Sequence, residues 1–332
     1  MKIFVTGGTG FVGSHLVDAL LSRSYEVTCL VRNPAKAERI FSHDKQPKIV
    51  VGDLNDLEAL ALGCEHVDAV FHVAGMTAAR NRAELLAVNG NATRTLASVA
   101  NETAPNLQRF VYVSSLAAAG PSTKGTPLRE QAATRPVSDY GWSKLAGEDA
   151  VRASGLPWTI VRPPMVYGPR DTSILKLFKF AKLGICVFFG DGSQELSLVY
   201  VTDLVDAMIR SLSPATQQKV FFACHPEIWT TRAFATEIYR ALKGEKIGRP
   251  RPTLTLAVPG TLARGILWTT GTVAALLHSD TLLNADKANE LLAEAWTCSP
   301  QEFMGATGWQ PTTGLAAGLR QTSDWYKNAR WL

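Results

Sequence analysis

Tyr140 and Lys144, in the run Tyr140-Gly141-Trp142-Ser143-Lys144, stand four residues apart and therefore share one face of any helix that contains both. A phenol is a poor acid-base catalyst at neutral pH because its ordinary pKa is about 10, but a neighbouring ammonium favours the phenolate and lowers that value. Such a pair suits proton transfer at a carbinol or carbonyl oxygen. The spacing is also common by chance, where it means only a half-buried tyrosine with an exposed lysine. Context favours the chemical reading. Val111-Tyr112-Val113-Ser114-Ser115 ends an apolar run ~25 residues upstream, and a serine at a strand's carboxyl end can hydrogen-bond a substrate oxygen while the tyrosine exchanges its proton.

A second group of residues suits phosphate. Thr6-Gly7-Gly8-Thr9-Gly10-Phe11-Val12-Gly13 follows an apolar run and opens a helical pattern. Glycines at 7, 10 and 13 allow a tight turn, a close backbone approach to a pyrophosphate and close helix–strand packing, and the helix N-terminus offers amides and its dipole. The next apolar run ends Leu30-Val31-Arg32-Asn33, where an acidic residue would mark NAD through the ribose hydroxyl. A guanidinium there fits a 2′-phosphate instead, so NADP(H) is the preferred cofactor, with NAD(H) as the alternative if Arg32 is a solvated surface residue. Asp53 either accepts from the adenine amino group or caps the following helix. The positive nicotinamide of an oxidised cofactor would add to the pull of Lys144 on the Tyr140 phenol.

These residues need a scaffold that brings strand ends and helix starts together, and the hydropathy pattern supplies one. Lys2–Thr6, Glu26–Val31, Ile49–Asp53, Ala69–Ala74, Arg109–Ser114 and Thr159–Arg162 read as buried strands. Helical spacing over Val12–Arg23, Asn55–Leu62, Arg82–Glu102 and Asp139–Ala153 separates them. This alternation predicts an α/β fold with a Rossmann-type, doubly wound parallel sheet. Residues 1–165 are assigned to it and 166–332 mainly to a smaller substrate-binding lobe. That lobe carries helical patterns at Ser173–Leu183, Thr202–Leu212, Thr230–Leu242 and Thr261–His278, and short strands at Cys186–Phe189 and Lys219–Ala223. Ser197–Val201, within a 197–212 stretch assigned to the first domain, is expected to return to the sheet.

Composition narrows the partners. The chain has 332 residues, 46% hydrophobic and 19% charged, enough for a sizeable core. Its net charge of +5 comes from 34 basic and 29 acidic residues without a dense run, which argues against nucleic acid. Cys29, Cys64, Cys186, Cys224 and Cys298 are odd in number and lack metal-ligand spacing, so reduced thiols, a cytoplasmic location and no metal are expected. The apolar segment Leu254–Leu277 is broken by Pro259, Gly260, Arg264, Gly265 and Gly271; it predicts a buried or lid helix, with peripheral membrane contact as the alternative and no integral span.

The chain resembles the short-chain dehydrogenase/reductase superfamily, in its extended branch of NAD-dependent epimerases and dehydratases, 3β-hydroxysteroid dehydrogenases and dihydroflavonol reductases. The resemblance spans nearly the whole chain. It rests on T-G-G-T-G-F-V-G at 6–13, G-D-L at 52–54, F-H-V-A-G at 71–75, V-N at 88–89, V-S-S at 113–115, Y-G-W-S-K at 140–144, R-P-P-M-V-Y-G-P at 162–169, G-D-G-S at 190–193 and V-Y-V-T-D-L at 199–204. It implies that Ser115, Tyr140 and Lys144 are the catalytic set, with Lys144 also holding the nicotinamide ribose. It further implies cofactor contacts from Gly7, Thr9, Gly10, Phe11, Val12, Arg32, Asp53, Leu54, Ala74, Gly75, Val113, Pro163 and Val166. Asn89 would steady the central helix and His72 would be packed. Met76, Ser115, Met165 and Leu196 are the expected substrate contacts, and a homodimer through Arg82–Glu102 and Asp139–Ala153 is implied.

Two departures bear on substrate. Nucleotide-sugar members carry R-x-F-N-x-x-G where this chain has Met165 at the asparagine, and an arginine that clamps the diphosphate where this chain has Leu196. A diphosphate without charge-assisted partners is poorly held. The expected activity is therefore NADP(H)-dependent reduction of a ketone or aldehyde, or oxidation of a secondary alcohol. Arg170 and Arg264 could clamp a phosphate by another route. A nucleotide-sugar epimerase or dehydratase with tightly held cofactor is the first alternative, and a catalytically silent NADP-sensing regulator the second.

Overall fold

Seven strands, all parallel, form the main sheet of the computed structural model, which describes residues 1–41, 45–244, 254–258 and 289–332. In chain order the first six are β1 (Lys2–Thr6), β2 (Glu26–Val31), β3 (Lys48–Val51), β4 (Ala69–His72), β5 (Arg109–Val113) and β6 (Trp158–Arg162). The helices between them are α1 (Phe11–Ser22), α2 (Pro34–Ile40), α3 (Leu57–Cys64), α4 (Arg82–Leu86), α5 (Ala92–Thr103), α6 (Leu116–Ala119) and α7 (Asp139–Arg152). Strand alternation explains why both sheet faces are apolar. Ile3 and Val5 of β1, with Val111 and Val113 of β5, join one core cluster with α1, while Phe4, Phe110 and Tyr112 join the other with α3, α5 and α7.

The sheet runs β10-β6-β5-β4-β1-β2-β3. Strand order reverses between β1 and β4, which are direct neighbours with Thr6 opposite His72. A crevice opens at such a reversal beyond the carboxyl ends of the strands, and this is where the glycine loop lies.

Past β6 come β7 (Met165–Tyr167), α8 (Leu175–Lys182), β8 (Ile185–Phe189), β9 (Glu195–Tyr200), α9 (Val201–Arg210), β10 (Lys219–Phe222), β11 (Ile228–Thr230), α10 (Thr231–Lys243), β12 (Leu254–Val258) and β13 (Ala295–Trp296). The strand near Ser197–Val201 does not enter the main sheet. As β9 it pairs with β7, β11 and β13 in a separate four-stranded sheet. The return is made by β10, which pairs with β6, and by α9, whose Leu204, Val205, Ala207 and Met208 pack in the first core cluster. The second lobe has its own core, with Tyr167, Phe178, Phe188, Phe234, Leu319 and Tyr326 among its members.

Three further expectations change. The helical stretch Arg82–Glu102 is interrupted by a π turn at Ala87–Asn91, and α2 appears where no helix was expected. The apolar segment from Leu254 begins as a strand, β12, parallel to β8; the stretch expected to be helical, Thr261–His278, lies outside the described residues, as does Arg264. No described helix is long and apolar enough to cross a membrane. The five cysteines are buried and unpaired.

Candidate active site

The glycine loop is shaped by close approach. Gly7 has φ +76°, and a Cβ on it would sit 2.5 Å from the Ala74 amide nitrogen at the end of β4. Gly10 caps α1 with extended backbone and no side-chain cap, so the first-turn amides of Phe11 and Val12 have no intrahelical acceptor, an arrangement that suits an anion. From this loop a cleft of about 600 Å³ runs across the sheet edge. Gly7, Thr9 and Gly10 line one part; Arg32, Lys36, Asp53 and Leu54 another; Ala74, Gly75 and Met76 a third. Its size and backbone cradle fit an extended dinucleotide. Phe11, Val12, Pro163 and Val166 are not among the lining residues; the Pro163 carbonyl accepts from the Leu116 amide, and Val166 of β7 pairs with Val199 of β9.

At the β2–α2 joint, Arg32 is exposed and borders the cleft. Asn33 caps α2 by accepting from the Lys36 amide, with Pro34 in the first turn, and this turn carries the Lys36 ammonium to the same wall as Arg32. Sequence reading missed Lys36 because it missed α2, although Asn-Pro at a helix start was a usable signal. Asp53 accepts from the Asn55 amide at 2.7 Å in a local turn. The cap of α3 is Asp56, which accepts from Ala59.

The catalytic candidates meet on the other side of the strand ends. Ser115 follows β5 and caps α6, accepting from the Ala117 amide at 3.1 Å. Ser138 caps α7 and accepts from Gly141, so the helix starts one turn before Lys144. α7 presses onto the π turn: a Cβ on Gly147 would lie 2.3 Å from the Asn89 carbonyl and 2.2 Å from the Tyr112 hydroxyl. Asn89 uses this position fully, its amide group donating to the Met76 carbonyl and the Ser143 hydroxyl and accepting from the Met76 amide. Met76, expected at the substrate, is thereby held on the dinucleotide cleft.

Tyr140 hydrogen-bonds Ser115, which pulls its pKa down, but loss of water around the ring dominates and, with Glu290 nearby, pushes it up to about 12. The expected lowering by Lys144 is not met in this arrangement. Burial draws the lysine itself down to about 7, against the opposing pull of Glu148, and its Nζ donates to the Val113 carbonyl at 2.7 Å, 4.3 Å from the centre of the Tyr112 ring. The same nitrogen lies 3.5 Å from where a Cβ on Gly75 would be, which puts it directly behind the Gly75 part of the cleft wall, although Lys144 is not itself a lining residue.

Beneath the lysine, Glu148 is fully buried and takes two bonds from Arg162, at 2.7 and 2.6 Å, one from Ser114 at 2.6 Å and one from Arg152 at 2.7 Å. No motif announces it; one helical turn beyond Lys144 is its only sequence cue. His72 is fully buried between Thr6 and Thr93, 2.7 and 2.8 Å away, and burial lowers it to about 3. It is a neutral packed side chain.

Ser115 and Tyr140 border a second cavity, of about 370 Å³, whose other walls include Met165, Leu177, Val187, Leu196, Phe234 and Trp296. Leu196 is 9% exposed and lies in register with both Trp229 and Trp296. Arg170, the other proposed phosphate clamp, is instead paired with Asp18 of α1 at 2.8 Å. Besides Ser115 and Tyr140, the polar residues in the wall are Gln194, Ser197, Thr231 and Glu290. Gln194 donates to the carbonyls of Leu291 and Ala293 and Trp296 to that of Glu290, which pins this segment over the cavity.

Comparison with known proteins agrees with this fold. The model of the NAD dependent epimerase/dehydratase family matches residues 3–222. A ceramide reductase from Caulobacter vibrioides is 32% identical over 99% of this chain and 96% of its own length. A UDP-glucose 4-epimerase from Mycolicibacterium smegmatis is 28% identical, with 99% of each chain covered. Among solved structures, a UDP-glucuronic acid 4-epimerase from Bacillus cereus in complex with UDP-glucuronic acid and NAD has the same fold, with a TM-score of 0.76 at 20% identity over 99% of this chain and 100% of that one. The seven-stranded parallel sheet, the glycine loop at its switch point and the match over residues 3–222 place this chain in the NAD dependent epimerase/dehydratase family of extended short-chain dehydrogenase/reductase enzymes.

Proposed function

We propose that the protein is an NADP(H)-dependent oxidoreductase that interconverts a lipophilic ketone and its secondary alcohol. One observation carries the reading: Tyr140, hydrogen-bonded to Ser115, lies in the wall of an apolar cavity that has no cation in the place of the family's diphosphate arginine. Met165 and Leu196 give that wall its apolar character. A lipid-like carbonyl fits it, and the ceramide reductase relative, similar over 99% of this chain, supports the same substrate type.

Arg32 and Lys36 would share the 2′-phosphate, the α1 N-terminus the pyrophosphate, and Lys144 the nicotinamide ribose. Bound there, the dinucleotide supplies or takes up hydride. Ser115 and Tyr140 hold the carbonyl oxygen between two hydroxyls. Tyr140, kept protonated by its dry surroundings, gives its proton to that oxygen in reduction and recovers it in oxidation.

The test is steady oxidation of NADPH over many turnovers with a panel of long-chain ketones. Tyr140→Phe should lower turnover by a factor on the order of 10² to 10⁴ while leaving NADPH affinity nearly unchanged. An epimerase that retains its cofactor would give no net NADPH oxidation, and a regulatory protein would be indifferent to the substitution.

A further inference from the structure

We infer that the lobe formed by α8, β8 and the edge strand β12 docks on an anionic lipid surface. Three observations carry this. The exposed face of α8 holds Lys176, Lys179 and Lys182, and the helix has no acidic residue; among the described residues none of the three lysines is in an ion pair. On that same face Phe180 is 46% exposed, and Leu183, just past the helix end, is 72% exposed. Beside them, the Leu254 amide donates to the Gly184 carbonyl, which sets Leu254 and Leu256 along the sheet edge at 47% and 43% exposure.

Large apolar side chains ringed by lysines match the acyl boundary and headgroups of an anionic bilayer, where the rings and branches enter the interface and the ammonium groups meet phosphates. A soluble partner would have to cover the same apolar groups with an acidic rim of its own. The bilayer is preferred because the patch runs into the substrate cavity. Leu256 is the register partner of Val187 in parallel pairing, so their side chains share a sheet face, and Val187 lines the cavity beside Leu177 of α8. An amphiphile in the surface would thus meet apolar protein from the interface to the cavity that Tyr140 also lines. The inference goes beyond the proposed chemistry, and vesicle binding is read without any substrate, so the two stand or fall separately.

The full chain is floated with vesicles of equal parts phosphatidylglycerol and phosphatidylcholine, and with phosphatidylcholine alone. Binding to the anionic vesicles, weakened by added salt, is expected. Each Lys→Gln change at 176, 179 or 182 should weaken it about fivefold, and the triple variant roughly 10²-fold. Phe180→Ser with Leu183→Ser should weaken it about tenfold. Leu254→Ser, at a single edge position, replaces that pair if its melting temperature shows unfolding. No flotation of the wild type, or flotation unchanged by the variants, overturns the proposal. So does a protein dimer that the Phe180/Leu183 variant breaks while vesicles remain unbound, which would assign the patch to a second copy of the chain.

Discussion

A lysine that titrates near neutrality makes cofactor binding depend on pH in a definite direction. Burial lowers Lys144 to about 7 in the free protein; below that pH it is an ammonium, which in the proposed binding mode would donate to the ribose hydroxyls, and above it a neutral amine. Those hydrogen bonds favour the charged form, so binding raises its pKa and takes up a proton. NADPH affinity should therefore be constant below about pH 7 and fall by up to tenfold per pH unit above it. Calorimetry across this range checks the sign, and Lys144→Met should abolish the slope. Glu148 is the counterpart on the structural side. Glu148→Gln would leave the buried Arg162 guanidinium without its carboxylate, and loss of one member of a buried pair costs about 3–5 kcal/mol. Urea unfolding should show a loss of that order, with NADPH binding shifted to lower pH because the carboxylate no longer favours the lysine cation. The difference in legibility between these two residues is physical. Tyr140, Lys144 and Ser115 carry functional groups whose pairing means something in one dimension, whereas Glu148 acquires its meaning from Ser114, Arg152 and Arg162, which only the fold brings around it.

At the scale of elements, the first six strands could be read to within a few residues because a parallel strand buried on both faces is a continuous apolar run. β7, β11 and β13 could not. They have three, three and two residues, too few for a period, and are defined by β9, which they flank. β9 itself is apolar enough for either sheet, and its placement is decided by pairing with β7 and β11 rather than by its own sequence. The seven-residue α2 shows what such omissions hide, since its first turn sets Lys36 beside Arg32. Two cations on one wall predict a graded cofactor preference. Arg32→Ala and Lys36→Ala should each reduce the preference for NADP over NAD by about tenfold, a charge-assisted hydrogen bond being worth about 1.5–3 kcal/mol in full and less at an exposed site. Arg32→Asp should invert the preference, because a carboxylate repels the 2′-phosphate and accepts from a 2′-hydroxyl. Equal wild-type dissociation constants for the two cofactors would remove the basis for both expectations.

For the whole molecule, the division of labour between the lobes decides which substrates can be used. The main sheet and its cleft are those of a family that includes nucleotide-sugar enzymes, so fold alone does not choose between a sugar nucleotide and a lipid ketone. The choice is made where the second lobe closes over Tyr140. Leu196, between Trp229 and Trp296, and Met165 on β7 present no charge to a diphosphate, and Arg170 is engaged with Asp18 of α1. A ligand stabilises a protein in proportion to its affinity for the folded state. UDP and dTDP should therefore leave the melting temperature unchanged and should not compete with substrate, whereas NADPH raises it. Met165→Asn with Leu196→Arg restores the two missing polar groups, but it also buries a guanidinium between two indoles. The double variant should thus gain measurable UDP affinity only at a cost in stability, which thermal unfolding with and without UDP separates. A nucleoside diphosphate that binds the wild type at micromolar concentration would reverse the assignment and make the cavity a sugar-nucleotide site that reaches its phosphates through residues other than 165, 170 and 196.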